Sequence, residues 1–249
     1  MVFQTINKNF EDSLQYNYNL LVDEFEFFSQ LPPRMQSDLV RLIFKSFLNR
    51  FDYFFDSLDS GFVNEIVVNM YAKTYQPGDD IVTPGQRVDA IMFVWQGQLQ
   101  ICEKNGDQEP FCVLPQNSFF GEYQILKGIP CMFGVKSLSS KEFGIQMRLR
   151  ADKTVQKEVK IYQNYWNIRR MKEASEDRIL NETSADSCIL MCVSKQKFME
   201  MCHLYPLSAL SIEMMSHDRN KILLNYRNLN LKNLRALKEQ RARLVGLFK

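Results

Sequence analysis

Few side chains in this sequence could take part in acid–base, nucleophilic or metal chemistry. The chain has 2 histidines, His203 and His217, so a general base would have to be a carboxylate, and no spaced pair of carboxylates stands out. The sequence contains no phosphate loop of the GxxxxGK type, no zinc-binding HExxH motif and no plausible Ser, His and Asp arrangement. We therefore predict that the protein is not an enzyme and that it has no metal site.

One motif has a distinctive spacing. Gly121 and Glu122 are followed by a short apolar turn and then by Lys127, Gly128, Ile129 and Pro130. This motif resembles the phosphate-binding cassette of cyclic nucleotide-binding domains, which occur in kinase regulatory subunits, bacterial activators and cyclic-nucleotide-gated channels. The segments 75–85, 92–99 and 185–206 extend the resemblance over most of the chain, with one large interruption.

The resemblance implies a pocket for cAMP or cGMP. In the family, a short helix after the Gly-Glu pair points its amide hydrogens at the cyclic phosphate, and the glutamate accepts a hydrogen bond from the ribose hydroxyl. An arginine a few residues later pairs with the phosphate oxygens. Carried over position by position, the arginine's place falls on Cys131 and the place of the next, small hydroxyl residue falls on Met132. The implied pocket residues are Gly121, Glu122, Tyr123, Gln124, Cys131 and Met132.

Loss of the arginine should weaken nucleotide binding. A charge-assisted hydrogen bond contributes roughly 1.5–3 kcal/mol, so affinity should fall by about one to two orders of magnitude. Lys136 lies further along the same presumed strand, but a lysine cannot reproduce the forked pairing of an arginine. We expect Glu122 to remain as a capping residue for its own helix.

The elements around the motif are predicted from local patterns. An apolar run from Ile91 to Trp95, then Gly97, then alternation through Ile101, indicates two strands joined by a tight turn. The pairs Pro77–Gly78 and Pro84–Gly85 are typical of turns. Short strands separated by such turns favour an antiparallel β-roll, or jelly roll. The predicted fold class is α+β, with N-terminal linker-like helices, a cassette helix and a long C-terminal helix.

The region before the roll is predicted to be helical. Apolar residues recur at helical spacing from Met35 to Phe47, which predicts one amphipathic helix, and a second helix carries Phe62, Ile66 and Met70. An aromatic cluster at 51–55 lies between them. Residues 31–75 resemble the later part of the linker in voltage- and cyclic-nucleotide-gated channels, which implies a homotetramer if the chain derives from a channel. The alternative is that these are ordinary helices packed on a roll. Residues 9–30 are predicted to form a further, partly interfacial helix.

Two segments could contact partners. The interruption at 138–183 alternates apolar and polar residues as a strand would, and then combines Tyr162, Tyr165 and Trp166 with basic residues. We expect it to contact a protein rather than nucleic acid. The C-terminal helix, from about 206 to 247, is basic over 219–249, which could suit an anionic membrane surface, a calmodulin-like partner, a coiled coil or only solvent. The predicted domains are 1–72, 73–205 and 206–249.

Composition limits the function further. A net charge of +2 implies no general affinity for nucleic acid, and 6 cysteines without a Cys-x-x-Cys pair suggest reduced thiols in a cytoplasmic protein, membrane-associated if part of a channel. We predict a non-catalytic regulatory or interaction module with weak or lost nucleotide binding, acting through protein contacts. The alternative is a cAMP- or cGMP-responsive gating domain of a cation channel.

Overall fold

The structure, a computed structural model, describes residues 30–103, 110–138 and 187–247. The predicted helix at 9–30, apart from its last residue, lies outside these ranges. So do the strand and the aromatic, basic helix predicted within 138–183. In the last helix the basic side chains beyond Lys232 also lie outside the described part.

Within the described residues, four helices precede the first strand. They are α1 (Pro33–Ile43), α2 (Lys45–Arg50), α3 (Asp52–Phe55) and α4 (Ser60–Val68). The single helix predicted from Met35 to Phe47 is wrong in one respect, because the chain turns at Phe44, which has φ −88° and ψ 11°. The turn buries Phe44 in the core, while Met35 and Leu42 remain exposed. Helix α4 begins where Asp59 Oδ1 accepts a hydrogen bond from the Gly61 amide at 2.7 Å.

The strands that the structure describes form two antiparallel sheets of 4 strands each. One sheet has the order β1-β8-β3-β6 and the other has the order β2-β7-β4-β5. The strands are β1 (Tyr71–Tyr75), β2 (Asp80–Val82), β3 (Ala90–Gln96), β4 (Gln98–Cys102), β5 (Cys112–Leu114), β6 (Phe119–Phe120), β7 (Gly134–Leu138) and β8 (Cys188–Ser194). Turns occur at both predicted Pro-Gly pairs, and β3 and β4 form the predicted hairpin around Gly97. The predicted α+β fold with an antiparallel roll is confirmed.

An aromatic cluster joins the N-terminal helices to the first sheet. The rings of Phe47, Phe51, Phe54 and Phe55 surround Phe93 of β3, with ring centroids 5.1–5.8 Å from it. All five rings are buried, and each contributes roughly 1.5–3 kcal/mol through burial. The helices and the roll therefore share one hydrophobic core.

Three more helices complete the described part of the fold. They are the cassette helix α5 (Glu122–Lys127), then α6 (Lys195–Leu204) and the long α7 (Pro206–Leu247). Proline at the first position of α7 suits a helix start, since its missing amide hydrogen would have no partner within the helix. Helix α7 contacts α5, α6 and β5. Within the described residues, no helix is long and apolar enough to cross a membrane.

Candidate functional site

The cassette helix begins at a glycine that no other residue could replace easily. Gly121 has φ 105°, and a Cβ at this position would lie 2.7 Å from the carbonyl oxygen of Ala90. This close approach to β3 places the next residue, Glu122, inside the protein with 4% of its surface exposed. The helix ends six residues later at Gly128, which also has a left-handed backbone. The predicted Gly-Glu pair thus directs a carboxylate into the roll.

An arginine from α7 occupies the position beside that carboxylate. Arg219 Nη1 donates to Glu122 Oε1 at 2.6 Å, and Nη2 donates to the carbonyl oxygen of Phe119 at 2.5 Å. The guanidinium carbon also lies 3.5 Å from the centroid of the Phe119 ring. We refer to Glu122, Arg219 and Phe119 together as the pocket lock. The prediction that Glu122 caps its own helix is wrong, because its carboxylate is turned to Arg219 and Gly121 is the N-cap residue.

Burial controls the electrostatics of this pair. Arg219 has 7% of its surface exposed, and this desolvation lowers the pKa of its guanidinium. The Glu122 carboxylate opposes that lowering, and so does the Tyr53 phenol. A buried ion pair gives little net stability compared with apolar residues, but removal of one partner costs roughly 3–5 kcal/mol, because the other charge is left buried alone. Each of the two side chains therefore requires the other to compensate its buried charge.

Two residues predicted for the phosphate side of the pocket, Cys131 and Met132, do not line the cavity beside Glu122. Cys131 is fully buried, and its thiol donates to the Phe133 carbonyl oxygen at 3.3 Å. Its amide donates to Gln86 O at 2.8 Å, and its own carbonyl accepts from the Gly85 amide at 2.7 Å. Burial raises the pKa of this thiol. Met132 is 52% exposed. Cys131 is therefore a core residue, and Met132 is a surface residue.

A small cavity remains between the cassette and α7. Its volume is about 30 Å³, enough for a water molecule or two, whereas small-molecule pockets usually measure about 300–1,000 Å³. Lys136 does not line it, since the Lys136 Nζ lies 3.3 Å from Asp80 Oδ1. The cavity is lined by Ile101, Leu114, Phe120, Glu122, Tyr123, Gln124, Ser216, Arg219, Asn220 and Leu223. This cavity is too small for a nucleotide while α7 holds this position.

Two further ion pairs join α7 to the roll within the described residues. Lys127 Nζ lies 2.6 Å from Glu213 Oε1, and Arg227 bonds both oxygens of Glu103, with Nε 2.6 Å from Oε2. The hydrogen bond that Arg227 donates to the Glu103 carboxylate raises the pKa of Arg227. Arg219 and Arg227 were expected on the basic face of 219–249. That expectation is wrong for these two, because each forms an ion pair with the roll.

The start of α7 makes a different kind of contact, with α4. A Cβ on Gly61 would lie 2.5 Å from Tyr205 Oη, so the tyrosine ring rests directly on the α4 backbone. The Asp59 amide donates to Ser208 Oγ at 2.9 Å. The Phe62 ring is 5.9 Å from the Tyr205 ring. We call Tyr205–Ser208 with Asp59–Phe62 the elbow.

Sequence reasoning missed Arg219, although a signal for it exists. Ile212, Ser216, Arg219 and Leu223 recur at helical spacing, and the structure buries all four. An arginine on the buried stripe of a helix requires a carboxylate or several carbonyls opposite it. That requirement could have pointed to Glu122.

Comparison with known proteins agrees with the fold and with the cassette. The family model for the cyclic nucleotide-binding domain matches residues 72–142. These residues carry most strands of the roll together with Gly121, Glu122 and the cassette helix. This region of the chain is therefore similar to the cyclic nucleotide-binding domain family.

The relatives include ion channels. Over 125 residues, 49% of this chain, the sequence is 26% identical to potassium channel SKOR of Arabidopsis thaliana and covers 15% of that protein. Over 132 residues, 51% of this chain, it is 26% identical to the cyclic nucleotide-gated channel rod photoreceptor subunit alpha of Gallus gallus and covers 20% of it. The chain thus spans a fifth or less of the length of these two channels.

Among solved structures, the chain is similar to the regulatory domain of Toxoplasma gondii PKA with cAMP. The two are 14% identical, with a TM-score of 0.44, over 72% of this chain and 51% of the other.

Proposed function

We propose that this protein is a non-catalytic regulatory module in which α7 closes the nucleotide pocket of a cyclic nucleotide-binding domain. The observation that carries this proposal is the pair between Glu122 and Arg219 at 2.6 Å. In this family the glutamate is the group expected to receive the ribose hydroxyl, and here an arginine of the same chain already uses it. Nucleotide binding is then weak or absent, and the module acts through protein contacts.

The energetics of the pair support weak binding. A nucleotide must displace Arg219 from the carboxylate, and separation of a buried ion pair costs roughly 3–5 kcal/mol. That cost corresponds to about two to three and a half orders of magnitude in affinity. The absence of an arginine at Cys131 removes a further roughly 1.5–3 kcal/mol. Together these terms place the expected dissociation constant near or above a millimolar concentration.

The domain division follows from the same idea. We assign residues 1–72 to a helical region, 73–205 to the roll with its interruption, and 206–249 to the helix that reports whether the pocket is open. A cytoplasmic location, assembly as a homotetramer in a channel and a protein partner at 138–183 are parts of this proposal. Its support is that the relatives are channels and that the second half of α7 is rich in lysine and arginine.

Calorimetry with cAMP and cGMP tests the proposal. We expect no binding, or near-millimolar binding, by the natural chain. The variant Arg219→Gln should bind at least about 10-fold more tightly, because the glutamate becomes available. Arg219→Gln combined with Cys131→Arg should bind more tightly still. Arg227→Gln is the matched control, since it removes an ion pair of the same helix outside the pocket, and it should leave affinity unchanged. Micromolar binding by the natural chain would contradict the proposal.

The alternative function is a cAMP- or cGMP-responsive gating domain of a cation channel. Its support is the similarity to a cyclic nucleotide-gated channel subunit. In that case Arg219 would leave Glu122 and pair with the cyclic phosphate, replacing the arginine that is missing at Cys131. Arg219→Gln would then weaken binding. The sign of this one change therefore separates the two functions.

A further inference from the structure

The outer face of the second sheet carries a buried leucine. Leu99 on β4 and Val135 on β7 are fully buried in the hydrophobic core. Side chains alternate along a strand, so Gln98 and its cross-strand partner Leu138 point to the opposite, outer face of the sheet. Leu138 is only 2% exposed, although it does not belong to that core. A leucine so well buried on the outer face must have a cover of its own.

Gln98 gives a second, independent sign of this cover. Its Oε1 atom is buried and has no hydrogen-bond partner among the described residues. Because buried polar atoms in proteins are almost always paired, this oxygen requires a donor from a neighbouring segment. On the same face, the side chain of Lys136 is 17% exposed, whereas that of Asp80 on the edge strand β2 is 45% exposed. The cover therefore lies over β4 and β7 and leaves the β2 edge open.

The described helices pack mainly on other parts of the roll. The N-terminal helices pack on Phe93 of β3, α5 and α6 also contact β3, and α7 contacts β5. The chain leaves the second sheet at Leu138 itself and returns at β8, after residues 139–186. Of the chain that could supply the cover, this interval is therefore the part directly joined to the buried position.

The first part of this interval has the composition that the cover requires. Apolar residues alternate with polar ones at Phe143, Ile145, Met147 and Leu149. Phe143 follows Leu138 by five residues, which is about 17 Å of extended chain, so the segment can reach along the whole of β7. The alternation gives an extended segment one apolar side, which suits contact with a leucine.

We propose that residues 143–149 pack on the outer face of the second sheet and bury Gln98 and Leu138. The backbone amides of this segment, with the side chains of Gln146 and Arg148, are the donors available to Gln98 Oε1. The aromatic and basic residues at 160–172 are left for the protein partner. The inference does not depend on the proposed function, since it concerns the opposite face of the sheet from the pocket.

A thiol introduced at Gln98 measures the cover in the full chain. Iodoacetamide reacts only with a thiolate that it can reach. At about pH 8, we expect Gln98→Cys to be alkylated at least about 10-fold more slowly than Asp80→Cys, the matched position on the open edge of the same face. Mass spectrometry separates the reporter peptide from those of the native cysteines. Equal rates at the two positions would overturn the proposal.

Substitutions in the segment identify what covers the face. Ile145→Glu combined with Met147→Glu would place charge against Leu138, and it should speed alkylation of Gln98→Cys by about 10-fold. Ile168→Glu is the matched control, because it changes an apolar residue outside 143–149, and its effect should stay below about 2-fold. An unchanged rate in the double variant would overturn the proposal. If circular dichroism shows that this variant does not fold, Ile145→Ser replaces it, with an expected acceleration of about 3-fold.

Protein concentration separates a segment of the same chain from a second copy. A cover within one chain predicts that the alkylation rate of Gln98→Cys is constant between about 1 and 100 μM protein. Faster alkylation on dilution would show that another molecule covers the face, and it would overturn the proposal. No nucleotide is added, so tight binding of cAMP by the natural chain would contradict the proposed function and leave this inference intact.

Discussion

Two of the contacts that attach α7 to the rest of the protein differ in chemistry. At the elbow, the Tyr205 ring rests on the backbone of Gly61, and Phe62 packs beside it. At the pocket lock, a buried guanidinium meets a buried carboxylate. The first contact depends on shape and apolar burial, and the second depends on charge.

This difference indicates that the elbow is a permanent contact, whereas the pocket lock can be released. Apolar contact at the elbow has no competitor in water, so a polar ligand cannot replace it. The groups at the lock can exchange partners, since a hydroxyl can bond Glu122 and an anion can bond Arg219. Under the proposed function, α7 therefore stays attached at Tyr205 and moves away from the roll at Arg219.

The largest effect on stability should come from a substitution at the elbow. Phe62 is completely buried between Phe198 and Tyr205. We expect Phe62→Ala to lower the free energy of unfolding by about 3–5 kcal/mol, measured by urea denaturation followed by circular dichroism. Met214→Ala, on an exposed part of α7, should change it by less than about 0.5 kcal/mol. A loss below about 1 kcal/mol for Phe62→Ala would mean that the elbow is not a stable joint.

The next effect should be local and should distinguish the lock from the other ion pairs. Side-chain exposure is 8% and 5% for the pair of Arg219 with Glu122, but 38% and 46% for the pair of Lys127 with Glu213. Exposed pairs contribute about 0–1 kcal/mol. We expect Arg219→Gln to raise hydrogen exchange at 213–227 by about 100-fold and Lys127→Gln by less than about 5-fold.

The elbow provides the reference within that experiment. Amides at 207–211, which adjoin Tyr205 and Ser208, should exchange at the same rate in the natural chain and in Arg219→Gln. If they accelerate together with 213–227, α7 leaves as one rigid unit, and the division into joint and lock is wrong.

The sequence predicts most of the roll because its signals are local. Turn residues such as Pro77 and Gly78, and the apolar run of β3, act on neighbours in the chain and fix the elements without knowledge of their partners. Gly121 and Glu122 are predicted for the same reason. A short motif identifies the glycine at which the backbone approaches β3 closely and the glutamate that follows it. The break in the first helix was missed because Phe44 turns inward to reach a core formed later in the chain.

The occupant of the site could not be predicted from the motif. Arg219 follows Glu122 by 97 residues, and the direction in which each side chain points depends on how α7 docks. The absence of arginine at Cys131 was visible in the sequence, but the arginine from another element was not. The usable signal was a charged residue among buried ones. A lone arginine on the buried helix face that carries Ile212 and Leu223 requires an anion opposite it.

The remaining effects concern two thiols, one near the pocket lock and one near the elbow. Burial raises the pKa of Cys112 on β5 from 9.0 to about 12, and it raises the pKa of Cys202 on α6 to about 11. Because these values are raised, the neutral thiols favour the folded state below a pH of about 9, and that contribution is lost as pH rises towards 11 and 12. At pH 8 we expect iodoacetamide to react with Cys112 about 10³-fold more slowly than with an ordinary thiol, since only the thiolate reacts.

The same alkylation reaction also tests whether α7 stays docked in Arg219→Gln, because the two outcomes change the rate at Cys112 in opposite directions. The charge of Arg219 lowers the pKa of Cys112, against the larger effect of burial. If α7 stays docked in Arg219→Gln, loss of that charge should slow alkylation of Cys112. If the lock opens, Cys112 becomes solvated and alkylation should accelerate by about 10-fold. Cys202 on α6, which is not part of the lock, should react at an unchanged rate. Mass spectrometry of the alkylated peptides measures both rates in one sample, and slower reaction at Cys112 would show that Arg219 alone does not hold α7.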